Sequence, residues 1–353
     1  MTFDTFSREI VSVAAGTVFV RRAGHGPVVL LLHGYPETSL AWRKVALDLA
    51  NDFTVIAADL PGYGESILSD DAFDDGRISK RTMGCALADV MSELGISRFA
   101  VVGHDRGARV AYRLAMDHPE QICAVAVLDV IPILDMAERL TYEGARQMAH
   151  WFWLAQSSTV PETLIGLDPD LYVRHIIEQW DGARVIEREA VDEYIRCMRK
   201  PEVLRTMGAE YRADRLDLEH DQADRRAARR ITCPLLALWA EGGLTERFGD
   251  PLAIWRQWAD DVTGGALAGG HFMMEESPRE LATWLRPFLT NACRQELEPP
   301  IEGERMTTSK QRSAARRNIK KAARAAKRKR TVAHLPKQTR TALGKEGAKG
   351  SGE

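Results

Sequence analysis

The chain has 353 residues, enough to bury a full core, and its 45% hydrophobic and 28% charged content is that of a soluble globular protein. No apolar run approaches the length that spans a bilayer, and residues 1–10 lack the basic-then-apolar layout of a secretory signal, so membrane insertion is excluded and a cytoplasmic location is expected. The formal net charge of −2 hides a division: residues 306–353 carry 15 Lys and Arg against 2 acids, leaving 33 against 48 in residues 1–305.

In chain order, residues 10–20 give two short β-like runs. Residues 28–32, Val-Val-Leu-Leu-Leu, form a continuous apolar stretch of the kind a sheet buries on both faces. Further β-like runs at 53–58, 99–102, 124–128, 235–239 and 265–268 take turns with helical patterns at 39–50, 79–94, 107–117, 251–258 and 278–289. That alternation predicts an α/β fold with a mostly parallel central sheet. Between 132 and 230 the strand signal gives way to Trp-, His- and Arg-rich helical segments, which predicts an inserted helical cap. The expected division is a core over 1–132, a cap over 133–230 and the core again over 231–294. An acidic linker with Pro299-Pro300 over 295–305 and a basic tail over 306–353 follow, the tail disordered or folding on a partner. Five cysteines (Cys85, Cys123, Cys197, Cys233, Cys293) show no CxxC spacing and fit buried reduced thiols better than a disulfide frame or a zinc site.

The segment with most chemical content is Phe99 to Gly107, where a β run enters Gly103-His104-Asp105-Arg106-Gly107 and leaves as a helix. A sharp strand–turn–helix exposes its central residue in a strained conformation, and flanking glycines remove side chains that would collide. Here that residue is Asp105. A carboxylate is poorly suited to attacking an amide or ester, but it can displace a leaving group from a saturated carbon and form an alkyl-enzyme ester. The leaving group is then a halide or an epoxide oxygen.

Together with His33-Gly34-Tyr35-Pro36, Asp59-Leu60-Pro61-Gly62-Tyr63-Gly64-Glu65-Ser66 and Gly270-His271-Phe272, this turn resembles the α/β-hydrolase superfamily, in the branch of haloacetate (fluoroacetate) dehalogenases, haloalkane dehalogenases and epoxide hydrolases. The resemblance covers residues 5–290 and implies an α/β-hydrolase fold. It places the water-activating base at His271 and the acid that holds the imidazole at Asp129, with Asp250 as the rival. It also implies oxyanion donors in the backbone N–H groups of Tyr35 and Arg106. His33, Pro36 and the Asp59–Ser66 stretch are expected to serve turn architecture alone.

Arg106 and Arg109 lie one and four residues beyond Asp105, so both guanidinium groups are expected to clamp a substrate carboxylate in front of it. In the cap, His150-Trp151 and Tyr211 resemble the donors that bind the departing halide in dehalogenases. The expected function is hydrolytic dehalogenation of a short 2-haloacid, with no metal and no organic cofactor. An epoxide hydrolase is the first alternative, with Tyr211 and one of Tyr142, Tyr172 or Tyr194 protonating the epoxide oxygen. A nucleic-acid-associated protein is the second, through Lys320-Lys321 and Lys327-Arg328-Lys329-Arg330 in the tail. A homodimer is the other partnership considered.

Overall fold

The computed structural model describes residues 3–73, 78–180 and 182–294. The linker and basic tail expected over 295–353 lie outside them.

Nine strands form one sheet: β1 (Ser7–Val13), β2 (Gly16–Ala23), β3 (Val28–Leu32), β4 (Thr54–Ala58), β5 (Ile67–Leu68), β6 (Phe99–His104), β7 (Ile122–Leu128), β8 (Leu235–Ala240) and β9 (Val262–Leu267). Their order is β1-β2-β4-β3-β6-β7-β8-β9, with β5 paired to β2. From β4 through β3 to β9 every pairing is parallel, while β1, β2 and β5 join antiparallel at one edge. The apolar runs predicted as strands become the middle of this sheet: every residue of β6, β7 and β8 is buried. Helices cover both faces of a parallel sheet, so its central strands meet side chains on either side and need no polar alternation.

The predicted helices form with small shifts of boundary. The last runs past the expected end at residue 289 to give Pro278–Arg294, with Pro287 inside it. Pro287 and Thr283, four residues before it, are both exposed. The carbonyl that Pro287 cannot serve therefore turns to water, and the helix continues.

Between β7 and β8 the described residues form only helices, from Ile133–Arg139 to Asp214–Arg226. The last of these presents Asp214, Asp217, Asp221 and Asp224 on one buried face, at spacings of three, four and three. Lys80 meets Asp214 and Asp217 at 3.1 and 3.2 Å, Tyr112 donates to Asp221 at 3.0 Å, and Arg113 lies 2.6 Å from Asp224. Buried ion pairs roughly break even energetically, but breaking one strands a charge, so this seam fixes where the helical insertion sits on the sheet domain.

Candidate active site

Five strand ends converge on one cavity. Tyr35 follows β3, Asp105 follows β6, Asp129 follows β7, Thr245 follows β8 and His271 follows β9, and all five line the same small cavity. The carboxyl ends of parallel strands are where α/β folds place their ligands.

Asp105 sits between β6 and helix Arg106–Asp117 with φ 45° and ψ −116°, strained for a residue with a side chain by about 1–3 kcal/mol. Close packing holds the turn in place. A Cβ on Gly103 would lie 2.3 Å from the Gly107 carbonyl oxygen, and one on Gly107 would lie 2.4 Å from that of His33. The Tyr35 N–H donates to Asp105 Oδ2 at 3.1 Å. The Arg106 N–H opens the helix, where no preceding turn supplies an acceptor. Burial opposes the charged form of Asp105, but His271, His104, Arg106 and the Tyr35 N–H outweigh it and hold the carboxyl well below the usual range.

His271 Nδ1 lies 2.7 Å from Asp129 Oδ2, which leaves Nε2 toward the cavity. Asp129 also has a positive φ, 54°, and its Oδ1 accepts from the Ala240 N–H at 3.3 Å. Burial works against a charged His271, yet the hydrogen bond and charge of Asp129, followed by the charge of Asp105, raise its pKa to about 9. The rival acid, Asp250, is exposed and caps helix Pro251–Trp255 by accepting from the Leu252 N–H at 2.9 Å. The structure therefore brings Asp129 to His271 and leaves Asp250 elsewhere.

The sequence pattern of the alpha/beta hydrolase fold matches residues 27–278. The chain belongs to the α/β-hydrolase family. This hydrolase is 36% identical to a fluoroacetate dehalogenase from Burkholderia sp over 293 residues, 82% of this chain and 96% of that one. It is 33% identical to a soluble epoxide hydrolase from Corynebacterium sp. (strain C12) over 262 residues, 73% of this chain and 88% of that one. A protein from Nostoc sp PCC 7120 described as an alpha/beta hydrolase has a crystal structure that matches with a TM-score of 0.78 at 44% identity, covering 82% of this chain and 99% of that one.

The two arginines of the hydrolase part company. Arg109 lines the cavity, fully buried, with Nη1 donating to the Ile131 carbonyl at 3.2 Å, Nη2 facing Met136 Sδ at 3.4 Å and Nε without a partner. Among the described residues no carboxylate pairs with it. Arg106 does not line the cavity, which corrects the expected two-arginine clamp. Its Nε donates to Glu210 at 2.9 Å, and Nη1 and Nη2 reach Asp214 at 3.4 and 3.1 Å. The two buried carboxylates offer the guanidinium a bidentate partner that water in the cavity cannot match.

His150 and Trp151, on helix Ala149–Leu154, both line the cavity, and burial pushes the His150 imidazole down to about 4, so it is neutral. Its Nδ1 has no partner. Tyr211 is not in the cavity wall but packs edge-on against both rings, with centroids 6.3 Å from His150 and 5.8 Å from Trp151. Of the other tyrosines weighed for an epoxide, Tyr142 is 86% exposed and Tyr194 donates to Glu275 at 3.3 Å. Tyr172 does not line the cavity.

His33 serves the fold: its Nε2 accepts from the Leu60 N–H at 3.0 Å and its Nδ1 faces the Gly34 carbonyl at 2.8 Å. Asp59 likewise accepts from the N–H groups of Ser39 and Glu65, at 2.7 and 2.8 Å.

Several contributors have no role assigned from the sequence. His104 faces Glu37 Oε2 at 3.1 Å through Nδ1 and the His271 carbonyl at 2.8 Å through Nε2, fixing the backbone that carries the imidazole. Trp180 lies against the His271 ring at 4.9 Å, and Met136, Met148, Ile176 and Phe248 complete the apolar wall. Among the described residues one group could hold a metal, Glu65, Glu193 and Cys197, apart from the cavity lining. Arg196 and Lys200 already pair with Glu65, and burial pushes the Cys197 thiol up, against the thiolate a metal requires.

Proposed function

We propose that this hydrolase removes halide from a short 2-haloacid, with Asp105 as covalent nucleophile, and that Arg109 binds the substrate carboxylate. The observation that carries this reading is Arg109 itself: a buried guanidinium lining the cavity with the nucleophile, whose partners are a carbonyl, a thioether and the face of Trp151 at 4.8 Å, with no carboxylate among the described residues. A buried cation without a counter-charge is costly, and a carboxylate ligand repays that cost with charge-assisted hydrogen bonds. The same cation offsets the repulsion between two anions, substrate and Asp105, held in one small cavity. The likeness to a fluoroacetate dehalogenase supports the same reading.

In the first step a free Asp105 carboxylate oxygen attacks the carbon bearing the halogen. An Asp–carbon ester forms, the carbon–halogen bond breaks, and the halide leaves with the bonding pair toward His150, Trp151 and Tyr211. The other oxygen, held by the Tyr35 N–H, becomes the ester carbonyl. In the second step His271 takes a proton from water, and the hydroxide attacks that carbonyl carbon. The developing oxyanion lies on the oxygen that the Tyr35 and Arg106 N–H groups serve. The bond between that carbon and the ester oxygen bound to substrate breaks, His271 returns its proton to the departing alkoxide oxygen, and the 2-hydroxyacid leaves with Asp105 restored as a carboxylate.

The resting pKa values assign an order to these steps. Asp105 is ionised and ready at any ordinary pH, while His271, at about 9, is protonated and unable to act as a base. Esterification removes the Asp105 charge that helps to hold the proton on His271, so the imidazole becomes a base only after the first step. Halide release in the first turnover should therefore be independent of pH between about 5 and 8, while ester hydrolysis should speed up with rising pH through a pKa below that of the free enzyme. Rapid-quench measurements across that range check this. A larger halide burst at pH 5 than at pH 8 is the expected sign, because hydrolysis is then the slower step.

An epoxide hydrolase is the second reading, favoured by the likeness to the Corynebacterium enzyme. A neutral epoxide leaves Arg109 unpaired, and the described cavity wall lacks a second tyrosine beside Tyr35, whose hydroxyl donates to Met207. One substrate panel separates the two. Fluoroacetate, chloroacetate and bromoacetate should release halide, chloroacetamide should be turned over far less well, and styrene oxide should not be opened. Arg109→Leu should raise KM for chloroacetate by about 10- to 100-fold and leave chloroacetamide nearly unchanged. Epoxide opening without halide release would reverse the assignment. The nucleic-acid alternative concerns residues 306–353, outside those described.

A further inference from the structure

The haloacid reading uses the Arg106 backbone N–H but leaves its guanidinium, which does not line the cavity, without a role. Yet that group is one of the most elaborately held in the molecule. Glu210 and Asp214 bind all three of its nitrogens, Lys80 reaches Glu210, Asp214 and Asp217 from the other side, and Tyr63 donates to Glu210 at 3.1 Å. The guanidinium carbon stands 3.8 Å from the centroid of the Tyr211 ring and 4.7 Å from that of Trp151.

Both rings belong to the group assigned to the departing halide. Trp151 lines the cavity, and Tyr211 packs edge-on against it with the ring centroids 5.8 Å apart. A cation over the face of a phenol or an indole draws electron density from the ring and strengthens the O–H or N–H as a donor. Burial raises the Tyr211 pKa, with Asp105 and Glu210 acting in the same direction, and Arg106 is the largest charge acting the other way.

We infer that Arg106 is a positioning residue of the leaving-group pocket: fixed by Glu210 and Asp214, its guanidinium orients and polarises Tyr211 and Trp151 so that they donate more strongly to the departing halide. This inference rests on the haloacid reading and adds a specificity determinant to it. Donor strength matters in proportion to the charge density of the acceptor, so fluoride depends on Arg106 more than chloride, and chloride more than bromide.

The test is single-turnover halide release from fluoroacetate, chloroacetate and bromoacetate, with substrate affinity measured alongside, in the wild type and in Arg106→Lys. Lysine keeps a charge for Glu210 and Asp214 but loses the flat stacking cation. A second variant, Arg106→Met with Glu210→Gln and Asp214→Asn, removes the cation without stranding acids and covers the case in which Arg106→Lys fails to fold. Near-ultraviolet circular dichroism reports the packing of both.

The expected result is a loss of about tenfold or more in the rate with fluoroacetate and no more than about threefold with bromoacetate, with affinities close to wild type. Weakened affinity for all three acids at an unchanged ratio of rates would overturn the inference and return Arg106 to the carboxylate clamp. An equal loss of rate with all three halogens would also overturn it, leaving Arg106 a structural role. Wild-type enzyme that releases no halide from any of the three would instead sink the haloacid reading itself.

Discussion

Asp105→Ala should lower halide release from haloacetates by about 10⁴-fold or more, because the reaction then has no nucleophile aligned with the carbon–halogen bond. The loss is larger than for any neighbour, since Arg109, the aromatic donors and His271 all act on a bond that Asp105 makes. Asp105 sits at φ 45° and ψ −116°, a sparsely populated region for a residue with a side chain, and alanine also leaves the Tyr35 N–H without its acceptor, so some loss of thermal stability is expected too. Asp105→Asn separates the effects. It keeps the backbone conformation and an acceptor for the Tyr35 N–H, yet attacks carbon no better than alanine. Equal inactivity of the two with a more stable Asn variant is the expected pattern, measured by halide electrode and thermal unfolding.

His271→Ala should fail differently. The first step needs only an ionised Asp105, so this variant should release one equivalent of halide per site and then stop, with steady turnover down by about 10³- to 10⁴-fold. Intact-protein mass spectrometry should find one carboxymethyl group added, and peptide mapping should place it on Asp105. Removing the imidazole also removes the largest charge that depresses the Asp105 pKa, so the carboxyl should titrate higher than in the wild type. The burst in His271→Ala should accordingly fade toward acid pH earlier than in the wild type.

Much of this site can be read from short stretches of sequence, because the nucleophile turn, the Tyr35 turn and the His271 loop each place their residue through local backbone geometry. A strand followed by Gly-x-Asp-x-Gly needs only its own atoms and the close approach of β3 to put Asp105 at φ 45°. The same logic fails for long side chains. Arg106 stands at the expected place in the chain, but its guanidinium answers to Glu210 and Asp214, more than a hundred residues away. The cue was present: Glu210 and Asp214 are four residues apart, on either side of Tyr211, and so face one way along adjoining helical turns. Nothing in the sequence alone said that Arg106 would be what they face.

The choice between Asp129 and Asp250 shows a similar limit. Both follow strands, and each carboxylate has a ready local use, one toward an imidazole and one as a helix cap. Only the fold decides, because the parallel register of β7 and β8 sets Asp129 beside the Ala240 N–H and within 2.7 Å of His271. The His104 link between Glu37 and the His271 carbonyl lay hidden for a related reason, since it joins three loops through one buried ring. The predicted end of the last helix erred on local grounds, where exposure of Pro287 removed the penalty its residue type usually carries.

The central claim is that Asp105 bonds to substrate carbon before water enters. A single turnover in water labelled with heavy oxygen, with enzyme in excess over fluoroacetate, tests it directly. The glycolate formed should carry ordinary oxygen taken from Asp105, and the heavy atom should be found in the Asp105 carboxylate. Heavy oxygen in the glycolate of that first turnover, with none in Asp105, would show that water attacks the substrate directly and would contradict the covalent account.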